Sequence, residues 1–190
     1  AEKDYQMASG ISEKVESSDS VFVISRARLP WLLIGLLGGI FGAYVIGFFE
    51  GEIKEHAVMA SFIPLILAMG GNVGVQSSAI VVQALANSTL QKNIWQRLAR
   101  ELGVGLFNGL ICSLVIVGYS WAIGQGLLFA TAVGSSLLAV VLFASLFGTA
   151  IPWILNKYNI DPALATGPFI TTTNDVLGLS IYFAIANALL

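Results

Sequence analysis

The stretch LLFATAVGSSLLAVVLFASLFGTAIPWIL, residues 127–155, contains no charged side chain. A helix needs about 20 consecutive apolar residues to cross the hydrocarbon core of a bilayer. The stretch therefore predicts a membrane-spanning helix, long enough to tilt or to kink near Pro152. The whole chain has the same character, because 56% of its 190 residues are hydrophobic and 11% are charged, whereas a soluble domain carries about 25% charged residues. Composition thus indicates an integral membrane protein.

Four more apolar blocks of membrane-spanning length lie on either side of this stretch. The expected fold class is an all-α membrane protein with five transmembrane helices, at about residues 31–49, 57–86, 102–123, 127–155 and 163–190. We expect the second helix to be interrupted at Pro64 and again at GGNVG (70–74). Asp161 and Pro162 are expected to supply the N-cap and the first turn of the fifth helix.

The residues before the first apolar block form a separate polar region. Residues 1–29 are expected to be the end of a cytosolic helix plus a linker, which leaves 30–190 as the membrane domain. The segment SRARLP (25–30) is typical of an interfacial anchor. Because the chain starts at Ala1 and its first residues are charged, we expect a fragment or a processed chain rather than a signal peptide.

Glycines in the first apolar block have the spacing of a helix-packing motif. Gly35 and Gly39 are four residues apart, and so are Gly38 and Gly42. Such GxxxG spacing removes side chains from one face of a helix and lets another helix approach closely. The first helix is therefore predicted to pack tightly against a neighbour.

Basic residues are concentrated on one side of the five predicted helices. They are Lys3, Lys14, Arg26, Arg28, Lys92, Arg97, Arg100 and Lys157. The other side carries GEIKEH (51–56), preceded by Glu50, and the turn GQG (124–126). Because cytoplasmic loops are enriched in Lys and Arg, we expect a cytoplasmic N-terminus and an external C-terminus. The acidic loop is expected to be solvated, or to attract cations weakly.

The last apolar block contains one carboxylate, Asp175, within TTTNDVLG (171–178). A charge in hydrocarbon costs from about 3 to more than 10 kcal/mol, so such residues are by default functional. The residues that share its helical face are Thr171, Thr172, Gly178 and Leu179. Pro168, two turns earlier, would leave the carbonyl of Leu164 without its usual partner. These oxygen acceptors predict a path for a hydrated cation; the alternative is a structural Asp175 bonded to a hydroxyl of another helix.

A second polar motif, GGNVGVQSS (70–78), lies within the second predicted helix. Asn72 and Gln76 are four residues apart on one face, and their amide oxygens can accept hydrogen bonds from the water shell of an ion. The glycines are expected to break the helix and expose backbone carbonyls to a cavity. The alternative is a packing motif with an amide hydrogen bond between helices.

The residue types in the predicted spans favour a hard cation over other chemistry. Soft metals would require His or Cys ligands, whereas oxygen ligands suit magnesium, calcium or manganese. No set of paired catalytic groups is found there, so an enzyme is not expected. Because one carboxylate only partly neutralises a divalent ion, charge balance predicts a two-fold homodimer with Asp175 of both chains across a pore on its axis.

The two motifs together resemble a known family. GGNVGVQSS and DPALATGPFITTTNDVLGLSIYF (161–183) are similar to the membrane domain of the MgtE magnesium channels, over about residues 29–190. The resemblance implies a homodimer of five-helix protomers with the pore between them. It implies that Asp175 is the selectivity filter for largely hydrated Mg²⁺, with the backbone carbonyl of Thr171 as a further acceptor. The residues expected to line the pore are Gly71, Asn72, Gln76, Pro168, Thr172 and Gly178.

The resemblance also implies partners and location. The polar N-terminus would be the end of a plug-like helix that connects cytosolic N and CBS regulatory domains, which lie outside this chain, to a pore in a bacterial inner membrane. The expected partners are a second copy of the chain and the lipid bilayer, with no nucleic acid, and the expected ligand is transported Mg²⁺. Two alternatives remain: an ion-coupled carrier that uses Asp175 as a proton or sodium site, and a membrane module without transport activity.

Overall fold

The computed structural model describes residues 6–87, 93–165 and 167–190. The described helices are α1 (Val21–Phe48), α2 (Glu50–Glu55), α3 (Met59–Ala86), α4 (Ile94–Ala122), α5 (Leu127–Lys157), a 3-10 helix (Pro162–Ala165) and α6 (Pro168–Leu189). Five of them, all except α2 and the 3-10 helix, are long and apolar enough to cross a membrane. Within these described ranges no strand occurs. The predicted all-α membrane class and its five long helices are confirmed.

Helix α5 lies at the centre of the bundle and packs against α3, α4 and α6, while α6 also packs against α1 and α3. A helix that is apolar all round is suited to such a central position. The shared core contains Met59, Phe62, Ile66, Leu137, Val140, Tyr182 and Phe183. The hydroxyl of Tyr182 donates to the backbone oxygen of Met59 at 3.0 Å, so this buried polar group has a partner.

Two of the long helices begin earlier than predicted. Helix α1 begins at Val21, where the side chain of Ser20 accepts a hydrogen bond from the amide of Val23 at 3.4 Å. The segment expected to be an interfacial anchor is therefore helical, with Pro30 inside α1. Helix α4 begins at Ile94, because the side chain of Asn93 caps its first turn. As a result, basic and acidic residues that were expected in a loop belong to α4.

The predicted interruption of the second membrane helix is wrong. Helix α3 is a continuous α-helix, with Pro64 near its N-terminal end and the glycines of GGNVG in regular helical conformation. Those glycines lie where neighbouring helices cross α3. The carbonyl of Gly74 lies against Gly148 of α5, and a methyl group added to Gly70 would stand 3.2 Å from Val140. The glycines therefore permit close packing instead of ending the helix.

The predicted start of the last helix is also wrong. Gly167 has a φ of 59°, and α6 begins directly after it at Pro168. The missing amide hydrogen of a proline at the first helical position removes no helical hydrogen bond, so the expected effect on the Leu164 carbonyl does not arise: that residue lies in the 3-10 helix. Asp161 caps this 3-10 helix instead, accepting from the amide of Ala163 at 2.9 Å.

The polar N-terminal segment folds back onto the bundle. Residues 6–8 are helical. The side chain of Gln6 forms two hydrogen bonds with the backbone of Val15, at 2.8 and 3.1 Å, and the amide of Ser12 donates to the carbonyl of Ala27 in α1 at 2.9 Å. This segment is thus held against the start of α1. Of the basic residues used to predict the orientation, Lys3 and Lys92 lie outside the described residues.

Candidate functional site

Asp175 is partly buried and lines a cleft between α1 and α6 with a volume of about 250 Å³. The cleft exists because α1 presents glycines to this part of α6, and glycines leave space where other residues would project side chains. The residues that line it are Gly35, Gly38, Gly39, Gly42, Ala43, Ile46, Leu67, Thr172, Asp175 and Leu179. Two predicted site residues, Thr172 and Asp175, are therefore brought to the same space.

The two GxxxG pairs of α1 have different surroundings. Gly38 packs directly against Cγ2 of Thr172, and a methyl group added to Gly42 would lie 3.7 Å from Leu179. A methyl group added to Gly35 or Gly39 would have no atom within 4 Å. The close approach expected from this spacing is found at Gly38 and Gly42, whereas the other pair leaves the cleft open.

Gly71 of α3 lies opposite the carboxylate of α6. A methyl group added to Gly71 would stand 3.9 Å from Oδ1 of Asp175 and 3.5 Å from Cγ2 of Thr171. The second and fifth membrane helices, which were expected to line a pore, thus meet at the residue expected to be its filter. An alanine here would make ordinary contacts with both residues, whereas a larger side chain would compete with the carboxylate for space.

The hydroxyl of Thr171 is turned toward its own helix. It donates to the carbonyls of Gly167 and Pro168, at 3.2 and 3.1 Å. Such local bonds satisfy a hydroxyl inside a membrane helix without a partner helix. The hydroxyl is therefore engaged, and a role for Thr171 through its backbone carbonyl stays a prediction.

The remaining predicted residues lie away from the cleft. Asn72 and Gln76 are exposed side chains one turn apart on α3. Gly178 is buried, and a methyl group added to it would stand 3.4 Å from Val140 of α5. Pro168 lies at the N-terminal end of α6, against Gly10 of the polar segment. In the single chain these four residues do not converge on the carboxylate.

A larger cavity of about 700 Å³ adjoins the cleft on the side of the polar segment. Gly35 and Thr172 line both spaces, so the two are neighbours along α6. The other residues that line the larger cavity are Ser9, Gly10, Ile11, Arg28, Trp31, Leu32, Gly167, Pro168 and Thr171. The larger cavity thus lies between the N-terminal segment and the cleft that contains Asp175.

The sequence alone did not identify two buried polar residues, Glu101 and Asn174, as candidates for a role in the structure. Glu101 is 5% exposed and bonds to Ser77 of α3 and to Arg97 of its own helix. The spacing of Arg97 and Glu101, four residues apart just before an apolar block, was the available signal. Asn174 is 1% exposed, and neither polar atom of its side chain has a hydrogen-bond partner within the described ranges.

The described residues contain no group of three or more His, Cys, Asp or Glu side chains that could hold a metal ion directly. Asp175 therefore belongs to no such group among the described residues, an arrangement that suits an ion held through its water shell. In the acidic segment α2, Lys54 lies 2.8 Å from Glu50, and this hydrogen bond and charge hold the pKa of Glu50 below its ordinary value.

Comparison with known proteins identifies the family. Residues 63–185 match the family model MgtE, described as a divalent cation transporter. The chain is 36% identical to the magnesium transporter MgtE of Bacillus subtilis over 99% of its length, 36% identical to that of Thermus thermophilus over 95%, and 34% identical to that of Enterococcus faecalis over 98%.

The match covers 42%, 40% and 41% of these three relatives, so the chain spans about two fifths of their length. The relatives are named as transporters, not as enzymes. Together with five helices able to cross a bilayer, this indicates a multi-pass membrane protein. The chain belongs to the MgtE family of divalent cation transporters.

Proposed function

We propose that this chain forms the pore of a magnesium-selective channel, in which Asp175 is the selectivity filter. The observation that supports this is the carboxylate of Asp175, which lines the cleft between α1 and α6 and lies close to Gly71 of α3. Among the described residues Asp175 has neither an ion pair nor a hydrogen bond to another helix, which weighs against the structural alternative. An intramembrane carboxylate facing a cavity marks an ion pathway by default.

Magnesium is the ion that this site suits best. Mg²⁺ loses water reluctantly and requires octahedral geometry, so a lone carboxylate with space around it can hold the hydrated ion through its water shell. Gly35 and Gly39 line the cleft, and a methyl group on either would have no atom within 4 Å, so the cleft leaves space for a large hydrated ion. The names of the three bacterial relatives support magnesium as the transported ion.

The functional unit proposed is a homodimer with the pore between the protomers. One carboxylate per chain supplies half of the charge that balances a divalent ion, and a two-fold axis beside Asp175 supplies the second carboxylate. Asn72 and Gln76, exposed on α3 in the single chain, would then face the pore from both protomers. The molar mass of the detergent-solubilised protein by light scattering tests this: two chains per particle are expected, and a monomer that conducts would contradict it.

The polar N-terminal segment is proposed to be the end of a cytosolic connecting helix, with the linker that joins it to the pore domain. Its Gly10 packs on Pro168 at the start of α6, and both residues line the larger cavity, where a plug-like helix would close the proposed ion path. With the N-terminus cytoplasmic and the C-terminus outside, Mg²⁺ would enter the cell along its electrochemical gradient. The membrane potential contributes about 2.3 kcal/mol per charge per 100 mV.

An ion-coupled carrier is the second candidate, because a single carboxylate can also bind a proton or a sodium ion. The test is Mg²⁺ uptake into proteoliposomes that contain the protein, with an inside-negative potential imposed by a potassium gradient and with equal pH and sodium on both sides. A channel takes up Mg²⁺ under the potential alone. Uptake that requires an added proton or sodium gradient would replace the channel by the carrier, and absent uptake under every condition would refute transport.

A further inference from the structure

A buried charge pair lies in the first turns of α4, outside the cleft that contains Asp175. The side chains of Arg97 and Glu101 are 18% and 6% exposed, and Nη2 of Arg97 lies 3.3 Å from Oε2 of Glu101. The other carboxylate oxygen, Oε1, accepts a hydrogen bond from the hydroxyl of Ser77 in α3 at 2.6 Å. Ser77 is 4% exposed. One carboxylate therefore joins two helices of the bundle.

Stability alone is a poor explanation for this pair. Replacing a buried ion pair by apolar residues of similar size is often neutral or stabilising, because the charges lose their hydration. The pair is also imperfectly satisfied: Nε of Arg97 is buried and has no hydrogen-bond partner in the part of the chain that the structure describes. Such pairs can instead set the register of one element against another.

Ser77 lies on the face of α3 that is turned into the bundle. Gly70, Gly74, Ser77 and Val81 are buried, whereas Asn72 and Gln76 are exposed. Adjacent residues of an α-helix differ by about 100° in direction, so the position of Ser77 sets the direction of Gln76. A rotation of α3 that breaks the Ser77–Glu101 bond would also turn Gly71 away from Asp175.

We infer that Glu101 is a positioning residue for α3: through Ser77 it holds the rotation of that helix, and with it the directions in which Gly71 and Gln76 face. Arg97 holds the carboxylate in place. The inference rests on the proposed function only in its effect on transport. The rotation of α3 can be measured whether or not the protein transports an ion. Glu101 acts on the ion path through Ser77 and does not itself bind the ion.

Thiol accessibility at position 76 reports the rotation of α3. The reporter is Gln76→Cys in a chain whose single cysteine is replaced by Cys112→Ala. We would measure its rate of reaction with a charged methanethiosulfonate reagent in three forms of the protein: otherwise native, Ser77→Ala and Glu101→Gln. Ser61→Ala is the matched control, since Ser61 is an exposed serine of the same helix. Uptake of Mg²⁺ and of Ca²⁺ is measured in parallel, without the reporter.

The expected result is a change of about fivefold or more in the reaction rate for Ser77→Ala and Glu101→Gln, since a hydrogen bond to a charged group is lost or weakened. The ratio of Mg²⁺ to Ca²⁺ uptake per folded protein is expected to fall in both variants and to remain unchanged in Ser61→Ala. A merely structural role would reduce the amount of folded protein and leave this ratio unchanged.

The inference is overturned if Ser77→Ala matches Ser61→Ala in both the reaction rate and the uptake ratio. If Glu101→Gln does not fold, Ser77→Ala still tests the positioning role, because it leaves the Arg97–Glu101 pair in place. If the native protein takes up no Mg²⁺, the proposed function fails. The reaction rate at position 76 then tests the positioning role by itself.

Discussion

The side-chain amide of Asn174 in α6 lies directly against the α-carbon of Gly74 in α3, with no space for a methyl group between them. Cγ2 of Ile170 is also close, at 2.7 Å from the position that a methyl group on Gly74 would take. The carbonyl of Gly74 lies against Gly148 of α5. Three helices thus meet at Gly74 without a gap, one turn from the Gly71 that faces Asp175.

Gly74→Ala is therefore expected to destabilise the bundle. Overpacking costs about 1–3 kcal/mol, which outweighs the gain of about 1 kcal/mol that alanine brings to a helix. The measurement is the midpoint of thermal unfolding in detergent. Gly103→Ala in α4 is the control, because a methyl group there would have nothing within 4 Å, and its midpoint should stay or rise. Equal midpoints for both variants would contradict the close packing at Gly74.

Gly71 allows a different experiment, because it tolerates a methyl group but lies next to the carboxylate. A methyl group there would make ordinary contacts, 3.5 Å from Thr171 and 3.9 Å from Asp175, so Gly71→Ala should fold normally. Gly71→Leu places a branched side chain beside the carboxylate and is expected to reduce Mg²⁺ uptake by about tenfold or more, through loss of space for the hydrated ion. Unchanged uptake by a folded Gly71→Leu protein would show that the ion path does not pass this residue.

Gly38 sets the distance between α1 and α6. A methyl group on Gly38 would overlap Cγ2 of Thr172, so Gly38→Ala is expected to lower the unfolding midpoint, again by about 1–3 kcal/mol of stability. Thr172→Ser removes the overlapping methyl group, and the double variant should recover part of the loss. Gly39→Ala has open space around it and serves as the control. Additive effects of the two substitutions would contradict this contact.

The N-terminal segment can be tested at Gly167. Gly167→Ala places a side chain at a φ of 59° and against the carbonyl of Ala8, so the segment should detach from α6 and be cleaved faster in limited proteolysis. Backbone strain alone costs about 1–2 kcal/mol. Gly124→Ala isolates this strain, since Gly124 has a φ of 83° and open space around it. Equal cleavage rates for the two variants would show that the segment is not held at Gly167.

The number and type of the membrane-spanning helices followed from the sequence because a continuous apolar run has one stable solution in a bilayer. The predicted break at GGNVG failed for a related reason. Glycine is a weak helix former in water, but inside a bundle its missing side chain permits the crossings at Gly70 and Gly74, and backbone groups in lipid remain bonded within the helix.

The candidate site was predicted in part. Asp175 could be found from the sequence, because a charge within an apolar run stands out, and its proximity to Gly71 agrees with the motifs that were singled out. The role of Glu101 could not be found, because it depends on where α4 begins. Asn93 caps that helix ahead of the apolar block, and helix boundaries that depend on a single cap are poorly determined by hydropathy.

The most direct test of the central claim is Mg²⁺ uptake by Asp175→Asn, measured in proteoliposomes under an inside-negative potential with Ca²⁺ uptake alongside. The substitution keeps the shape of the side chain and removes its charge. Ser180→Ala on the same helix is the control, since that hydroxyl donates only to the carbonyl of Val176 in its own helix, at 2.9 Å. We expect Asp175→Asn to lose Mg²⁺ uptake or its preference over Ca²⁺ while it remains a folded dimer, and Ser180→Ala to behave like the native protein. Native uptake and native selectivity in a folded Asp175→Asn protein would contradict the assignment of Asp175 as the filter.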